Sequence, residues 1–313
     1  MISFNILSLQ SPHDRAFYDF YPLIKWKQRF QKEKDIRFNF YYDFNKSLQK
    51  EADYYILDYR YIQRNYPFRG DDLTERDDVI NKILRIKERF DKVVLFDSMD
   101  QTGSRCFWLS PYVDIHLKKQ LLKDKRPYFD TSHDSLFIWI PPNKIPSTKN
   151  YIALDKNHVD KLKLSWNIGM VDYRNWILQD LIPFSMNNYL NSHYSNPNFI
   201  SPDLNKPIFI SYRGGINNNP IYSHQRSKAF KIITNLIESN EILGIAGPKT
   251  KKRQFLKELK DSKVVFSPFG WGEICYRDFE SILKGGLLVK PSINHLETFP
   301  NFFVENETYV SVK

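Results

Sequence analysis

After Pro207 the sequence alternates four short apolar runs with three longer segments of helical periodicity. The runs have the length and composition of β-strands: PIFISY, EILGIAG, KVVFS and GLLVKP. The segments between them predict helices over Ser227–Ser239, Lys251–Ser262 and Cys275–Lys284. Regular alternation of this kind is typical of an α/β layer with a parallel sheet. We therefore predict a Rossmann-like unit in the last third of the chain.

The first half of the sequence shows a similar alternation. Strand-like runs ISFNILSL, IRFNFYY, DYYILDY and KVVLFDS accompany predicted helices over Arg15–Lys34 and Glu75–Phe90. From about Cys106 to Lys206 prolines interrupt the pattern, although Arg174–Leu190 has helical periodicity. A chain of 313 residues is long enough for two domains. We predict α/β domains over residues 1–200 and 201–313, facing each other across a cleft.

The composition narrows the class of protein. With 42% hydrophobic and 26% charged residues, the chain is expected to be globular and not disordered. A net charge of +10 predicts attraction to nucleic acid, a membrane surface or a phosphorylated substrate. The two cysteines show neither disulfide nor zinc spacing. The sequence contains no signal-peptide pattern and no long apolar run, which predicts a cytoplasmic protein.

Ligands of open α/β sheets bind outside the carboxyl ends of the strands. In SYRGGINNN the strand runs into Arg213 and Gly214, where a guanidinium and exposed backbone N–H groups suit a pyrophosphate. The alternative is an ordinary turn.

Two further basic stretches offer candidate cations. SHQRSKAF places Arg226 beside the start of a predicted helix, where a cation is unfavourable unless it serves an anion or a neighbouring carboxylate. The alternative is a surface arginine. The run KTKKR begins at Lys249, and we interpret it as a solvated helix start in preference to a nucleic-acid patch. Lys249 and Lys290 are reserve candidates for an anion site.

The most informative stretch is FSPFGWGEICYRDFESILKGGLLVKP. A predicted strand ends at Ser267, a Gly-Trp-Gly turn follows, and a helix beginning near Glu273 carries Arg277 and Glu280 on one face. A salt bridge within the helix would explain this pair, but it would not require the glycines and the tryptophan.

This stretch resembles the donor-binding segment of nucleotide-sugar glycosyltransferases of the two-domain GT-B type, in particular the exostosin-like C-terminal domain. The residues that carry the resemblance are Gly272, Arg277, Glu280 and Gly285. The resemblance implies that Glu280 bonds the ribose hydroxyls of the donor and that Arg277 neutralises its diphosphate. The commoner pattern has a second glutamate at the Gly272 position, whereas here the carboxylate comes one residue later, at Glu273.

Sugar transfer requires a stabilised leaving diphosphate and, in an inverting enzyme, a base for the acceptor hydroxyl. We expect the base in the N-terminal domain, where VVLFDSMDQTGS presents Asp97 and Asp100 at a strand end. The alternative is that these side chains cap the next turn. Glu273 is a third catalytic candidate. The chain has no D-x-D pattern in its acidic stretches GDDL and DSMD, so neither a metal ion nor another cofactor is expected.

The hypothesis we favour from the sequence is a glycosyltransferase that uses a nucleotide sugar and a glycan or glycolipid acceptor, without nucleic acid as a partner. Its basic surface makes an anionic membrane, approached from the cytoplasm, a further candidate partner. One alternative is a nucleic-acid-binding or modifying protein, although no known nucleic-acid motif is present. The other is a non-catalytic carbohydrate-binding protein of GT-B-like fold.

Overall fold

The computed structural model describes residues 1–9, 19–66, 73–130, 152–171, 199–215 and 220–312. These residues form a six-stranded and a five-stranded sheet, both parallel, and one two-stranded antiparallel ribbon. The predicted α/β class is confirmed, and the architecture is compatible with two Rossmann-like units. The helix predicted over Arg174–Leu190 lies outside the described residues.

The first sheet comes from the N-terminal half of the chain. The strands of this half are β1 (Ile2–Leu7), β2 (Ile36–Tyr41), β3 (Tyr54–Asp58), β4 (Lys92–Asp97), β5 (Ile115–Lys118), β6 (Gln120–Leu122) and β7 (Leu162–Leu164). All except β6 belong to the sheet, in the order β2-β1-β3-β4-β5-β7. Since β1 pairs with both β2 and β3, the direction of winding reverses between β1 and β3.

Helices cover both faces of this sheet. They are α1 (Tyr21–Lys25), α2 (Lys27–Lys34), α3 (Phe44–Ser47), α4 (Tyr59–Asn65) and α5 (Leu73–Lys87). Successive residues of β3 alternate between two hydrophobic clusters, with Leu57 beside Ile83 of α5 and Ile56 in the cluster of Leu23 from α1. This explains why the β3 and β4 runs are almost continuously apolar. The single helix predicted up to Lys34 is divided at Trp26.

The second sheet comes from the C-terminal part. Its elements are β8 (Ile208–Arg213), α6 (Pro220–Glu238), β9 (Gly244–Gly247), α7 (Lys252–Asp261), β10 (Ser262–Phe266), α8 (Tyr276–Leu283), β11 (Leu287–Pro291) and β13 (Val310–Val312), with β12 (Leu296–Thr298) outside the sheet. The order is β13-β11-β10-β8-β9. The four predicted strands and three predicted helices are confirmed, although α6 begins at Pro220 and not at Ser227, and β13 is additional.

A ribbon and a shared core join the two halves. Strand β6 pairs antiparallel with β12, so that Leu122 lies opposite Leu296. One hydrophobic cluster draws on both halves and includes Phe107, Tyr128, Leu162, Phe269, Phe279 and Leu288. Because these apolar side chains are removed from water only when the two halves are in contact, their burial stabilises that contact.

In the portion of the chain covered by these elements, no helix has both the length and the apolar character needed to cross a bilayer. The longest, α6, has 19 residues, and its exposed positions include Lys228 and Lys231.

Candidate functional site

The main candidate site lies at the carboxyl edge of the second sheet, between β8 and β10. Strand β8 ends at Arg213 and is followed by Gly214 and Gly215, while β10 is followed by Ser267. Since β8 pairs with both β9 and β10, the winding direction reverses here. Loops diverge at such a point and leave a crevice at the strand ends, which is where ligands of doubly wound sheets bind.

Arg277, in the first turn of α8, holds these two strand ends together. Its Nη1 donates to the main-chain oxygen of Arg213 at 2.7 Å, and its Nε donates to Ser267 Oγ at 3.0 Å. Its Nη2 donates to the main-chain oxygen of Pro268 at 3.1 Å. All three guanidinium nitrogens therefore serve acceptors within the chain, and the side chain holds the ends of β8 and β10 together.

A buried ion pair lies under the start of α8. Asp278 accepts a hydrogen bond from the Cys275 backbone N–H at 3.0 Å, which caps the helix, and it pairs with Lys290 Nζ at 2.5 Å. Lys290 also donates to the main-chain oxygen of Glu273 at 2.7 Å and is fully buried. The structure thus places this reserve cation beneath the loop, where it supports the loop between β10 and α8.

Arg226 and Lys249 come together over the glycine loops. Arg226 Nη1 donates to the main-chain oxygen of Gly215 at 3.2 Å. A Cβ at Gly215 would lie 3.4 Å from Lys249 Cε, and a Cβ at Gly270 would lie 3.3 Å from Arg226 Nη2. The guanidinium therefore lies between the backbones of two glycine loops, with the exposed Lys249 beside it. Two cations beside side-chain-free backbone form a surface suited to an anion.

Arg213 and Gly214 contribute to the same edge in a different way. Arg213 makes a two-pronged ion pair with Glu258 of α7, at 2.8 and 2.9 Å. Burial acts to raise the pKa of Glu258, but the bonds from Arg213 and Gln254 outweigh it and lower that pKa. A Cβ at Gly214 would lie 2.3 Å from Tyr212 Oη, so close packing requires this glycine. Arg213 is thus anchored to the helix below the crevice.

Glu280 lies one turn beyond Arg277 but has a different partner. It pairs with Lys252 of α7, and 13% of the Glu280 side chain is exposed. The intrahelical salt bridge considered as an alternative is not formed, because Arg277 bonds the strand ends. Gly285 has a left-handed backbone, with φ of 68°, and a Cβ there would lie 2.5 Å from the Ile200 oxygen. This explains the glycine that ends the motif.

The first sheet carries a buried charged cluster at its own carboxyl edge. Asp97, the last residue of β4, is fully buried and pairs with Lys118 Nζ at 2.6 Å. Burial acts to raise the pKa of Asp97, but Lys118 and His116 outweigh it and hold that pKa well below its usual range. This enclosed ion pair favours a structural role for Asp97.

Among the residues that the structure describes, Asp97, Cys106 and His116 form a group whose ligand atoms are close enough together to hold a metal ion. Their ligand atoms lie within 4.8 Å of one another, and all three side chains are buried. His116 Nδ1 already contacts Ser110 Oγ at 2.8 Å, while Lys118 neutralises Asp97. The residues of the chain therefore balance the charge of this cluster by themselves.

Asp100 occupies a more open position. Its carboxylate pairs with Lys119 Nζ at 3.0 Å and lies 3.7 Å from Arg60 Nη2. Asp19 completes the group by pairing with both Lys119 and Arg60, at 2.6 and 3.0 Å. The Asp100 side chain is 15% exposed, whereas Asp97 is fully enclosed. Of the two aspartates predicted at the end of this strand, Asp100 is therefore the more exposed to a ligand.

Glu273 joins the two halves of the chain by hydrogen bonds. Its side chain accepts hydrogen bonds from Thr102 Oγ1, from the Thr102 backbone N–H at 3.3 Å and from Gln120 Nε2 at 2.9 Å. Only 1% of the residue is exposed. Burial raises the pKa of Glu273, although the bonds from Thr102 oppose the shift. Glu273, which stands one residue after the glutamate of the commoner motif, is therefore buried and anchors the loop.

The carboxyl edges of the two sheets meet beside this anchor. A Cβ at Gly272 would lie 1.7 Å from the main-chain oxygen of Asp100, so the two backbones are in direct contact. Gly270, two residues earlier, donates to the Gly272 oxygen at 2.9 Å and lies beside Arg226. The Gly-Trp-Gly turn therefore has Arg226 beside its first glycine and Asp100 beside its second.

Several residues of this arrangement were not among the sequence candidates. They are Arg60, Thr102, Lys118, Lys119, Gln120 and Ser267. Position at a strand end is the signal that could have identified Lys118 and Lys119, since they close the run IHLKK. Thr102 gives no comparable signal, because its partner is 171 positions away.

Neither a scan against protein-family models nor a search of the curated proteins found a match to this chain.

Proposed function

We propose that this protein is a GT-B-type glycosyltransferase that moves a sugar from a nucleotide-diphosphate donor to a glycan or glycolipid acceptor without a metal ion. The observation that carries the proposal is the pair of cations, Arg226 and Lys249, over glycine loops at the switch point of the second sheet. Arginine, lysine and open backbone at such a point suit a diphosphate.

The residues of the crevice take separate roles in this proposal. Arg226 and Lys249 contact the diphosphate, while Arg277 holds the strand ends in place and does not itself reach the donor. Glu280, whose carboxylate is partly exposed beside Lys252, accepts hydrogen bonds from the ribose hydroxyls of the donor. The cations supply the charge stabilisation that metal-dependent transferases obtain from a divalent ion.

Asp100 is the proposed general base. As the acceptor oxygen attacks the anomeric carbon, its proton passes to the Asp100 carboxylate. The bond between the anomeric carbon and the diphosphate oxygen breaks at the same time, and the electron pair leaves with the diphosphate. Asp100 is suited to this role because it is the partly exposed member of the three candidate carboxylates and lies against the Gly-Trp-Gly turn.

A titration with nucleotide diphosphates tests the donor site. Isothermal calorimetry with UDP, GDP and ADP should show binding of at least one of them, and Arg226→Ala should weaken that binding by about tenfold or more, because it removes charge-assisted hydrogen bonds. Lys231→Ala is the matched control, since Lys231 is an exposed cation on the same helix. Equal affinity in the two variants would overturn the site.

Transfer is tested separately. The wild-type protein should hydrolyse or transfer sugar from a nucleotide sugar whose diphosphate it binds, and Asp100→Asn should lose this activity while keeping nucleotide affinity. Binding without hydrolysis or transfer across the common nucleotide sugars would overturn the transferase and favour the non-catalytic binding protein.

A further inference from the structure

Four charged side chains form a closed ring of ion pairs at the carboxyl edge of the first sheet. Asp19 pairs with Lys119 at 2.6 Å and with Arg60 at 3.0 Å. Asp100 pairs with the same two cations, at 3.0 Å with Lys119 and at 3.7 Å with Arg60. Positive and negative groups therefore alternate, and each member contacts two of opposite sign. We call these four residues the charge ring.

The charge ring joins four separate segments of the chain and lies largely out of water. Asp19 precedes α1, Arg60 lies in the first turn of α4, Asp100 follows β4, and Lys119 lies between β5 and β6. The side chains of Asp19 and Lys119 are buried, while those of Arg60 and Asp100 are 14% and 15% exposed. Solvent ions screen such pairs less than pairs at the surface, so each charge in the ring acts strongly on its neighbours.

The balance of charge in the ring bears on the basicity of Asp100. A nearby opposite charge favours the ionised form of a carboxylate, and both Arg60 and Lys119 act on Asp100 in this way. A carboxylate held by two cations alone would be a weak base, whereas a general base works best when its pKa lies near the working pH. Asp19 offsets the two cations, because it pairs with both and brings the formal charge of the ring to zero.

Other ionisable groups surround the charge ring. Asp58, at the end of β3, interacts electrostatically with two ring members, and burial raises the pKa of Asp58 to about 6. Glu273 faces the ring from the loop between β10 and α8, since one glutamine amide bonds both its carboxylate and the Asp100 main chain. Lys118, which precedes the ring lysine, pairs with Asp97. These groups are the same in every ring variant, so they do not obscure a comparison among variants.

We propose that Asp19 is a positioning residue for sugar transfer, which holds Arg60 and Lys119 in place and balances their charge so that Asp100 can accept a proton. This rests on the proposed function, because it takes Asp100 as the general base. In this role Asp19 acts through the two cations and contacts neither the donor nor the acceptor.

Removal of a negative and of a positive ring member should have opposite effects on transfer. Asp19→Asn leaves two cations around Asp100, so the acid limb of the pH–rate profile, where the base becomes protonated, should move to lower pH. Lys119→Met leaves one cation for two carboxylates, so that limb should move to higher pH. We expect each shift to be about one pH unit or more. The double variant restores a charge of zero and should return the limb toward its wild-type position.

The matched controls remove the same charges outside the ring. Asp124 and Arg126 form an exposed ion pair, so Asp124→Asn and Arg126→Met should leave the acid limb in place. The limb should also persist in Asp58→Asn, and its loss there would assign it to Asp58 and overturn the proposal. Circular dichroism at each pH confirms folding. If Asp19→Asn does not fold, Lys119→Met should still move the limb, whereas Lys119→Arg, which keeps the charge, should not.

A second measurement needs no activity. In protein labelled with ¹³C-aspartate, the carboxyl resonance of Asp100 is identified by its absence in Asp100→Asn, and its chemical shift follows protonation of Asp100 directly. The midpoint of this titration should move in opposite directions in Asp19→Asn and Lys119→Met, as the acid limb does. Shifts in one direction, or no shift in folded variants, would overturn the proposal.

The outcomes separate this proposal from the proposed function. Transfer with an acid limb that neither ring variant moves would keep the transferase and overturn the role of Asp19. Opposite shifts of the Asp100 resonance in a protein that transfers no sugar would confirm the charge balance but overturn the transferase, and with it the catalytic purpose of the ring. Opposite shifts in both measurements would support the two together.

Discussion

The side-chain amide of Gln120 donates a hydrogen bond to the buried carboxylate of Glu273 at 2.9 Å. Gln120 belongs to the ribbon strand β6, and Glu273 lies in the loop that leads from β10 into α8. The same carboxylate holds Thr102, so one side chain fixes two segments of the N-terminal half against the loop between β10 and α8. The loop that would bind the donor is therefore positioned from the other half of the molecule.

Glu273→Ala should lower the free energy of unfolding by about 2–4 kcal/mol, because buried donors on Thr102 and Gln120 lose their acceptor and a cavity forms. Urea unfolding followed by far-UV circular dichroism measures the change. Glu307→Ala, at an exposed position, is the control and should change stability by less than about 0.5 kcal/mol. Similar effects for the two variants would contradict the anchoring role.

Gly272→Ala tests the contact between the two carboxyl edges. The new methyl group would overlap the Asp100 main-chain oxygen, which cannot move as freely as a side chain end. We expect a loss of about 3 kcal/mol or more in unfolding free energy. Gly215→Ala is the matched substitution, since its Cβ would meet only the ends of flexible side chains, Lys249 at 3.4 Å and Arg226 at 3.7 Å, and it should be nearly neutral. The prediction fails if the order of the two melting temperatures is reversed.

Arg277→Lys should reduce stability and nucleotide affinity together. A lysine ammonium cannot reproduce the planar set of donors that serves Arg213, Ser267 and Pro268, so we expect a loss of about 1–3 kcal/mol in unfolding free energy. Arg226→Ala, by contrast, should weaken nucleotide binding with little change in stability. Calorimetric titration and thermal melts on both variants measure this separation. Loss of affinity without loss of stability in Arg277→Lys would show direct contact with the ligand.

Asp58 should make stability depend on pH. Burial raises the pKa of Asp58 to about 6, and Asp19 adds to the shift against the bonds from Ser98, Ser8 and Arg60. Between its unfolded pKa near 3.9 and about pH 6, the folded state then holds more protons than the unfolded state, so this group's contribution to stability falls as pH rises.

Asp58→Asn should remove that dependence. The unfolding free energy at pH 7.5 minus that at pH 5, each measured by urea titration, should be higher in the variant than in the wild-type protein by about 1–2 kcal/mol. Burial lowers the pKa of His116, so this residue makes stability rise with pH, opposite to the effect of Asp58. That rise should remain in the variant and serves as an internal control. An unchanged difference would mean that Asp58 is ionised throughout the range.

The elements of the second sheet were predictable from the sequence because each parallel strand there is a short apolar run between turns. Val265 and Leu288, for example, lie in such runs and are buried. Strand β13 was missed because its three residues follow an irregular segment. The start of α6 was missed because a proline usually interrupts a helical pattern in a sequence, whereas Pro220 stands in the first turn, where proline is well tolerated.

The site was predictable only in part. Arg213 and Arg277 were predicted at this edge because strand ends and glycines mark where the edge of the sheet lies. Arg226 was predicted beside the start of a helix, but the helix begins at Pro220, so Arg226 stands within it and not at its start. Their separate contacts could not be predicted, since Arg277 and Glu280 share a helix face but bond to different elements. The partners of Glu273 were equally hidden, because contacts over more than 150 positions leave no local pattern in one sequence.

The ribbon of β6 and β12 has a consequence for synthesis of the chain. A ribosome makes Gln120–Leu122 well before it makes Leu296–Thr298, the strand with which they pair. Until then, the backbone groups of β6 that β12 will satisfy form an open strand edge, a site prone to pairing with other chains. A nascent chain, or one cut before Leu296, therefore carries this edge unprotected, and β6 reaches its final pairing only after Leu296–Thr298 has been made.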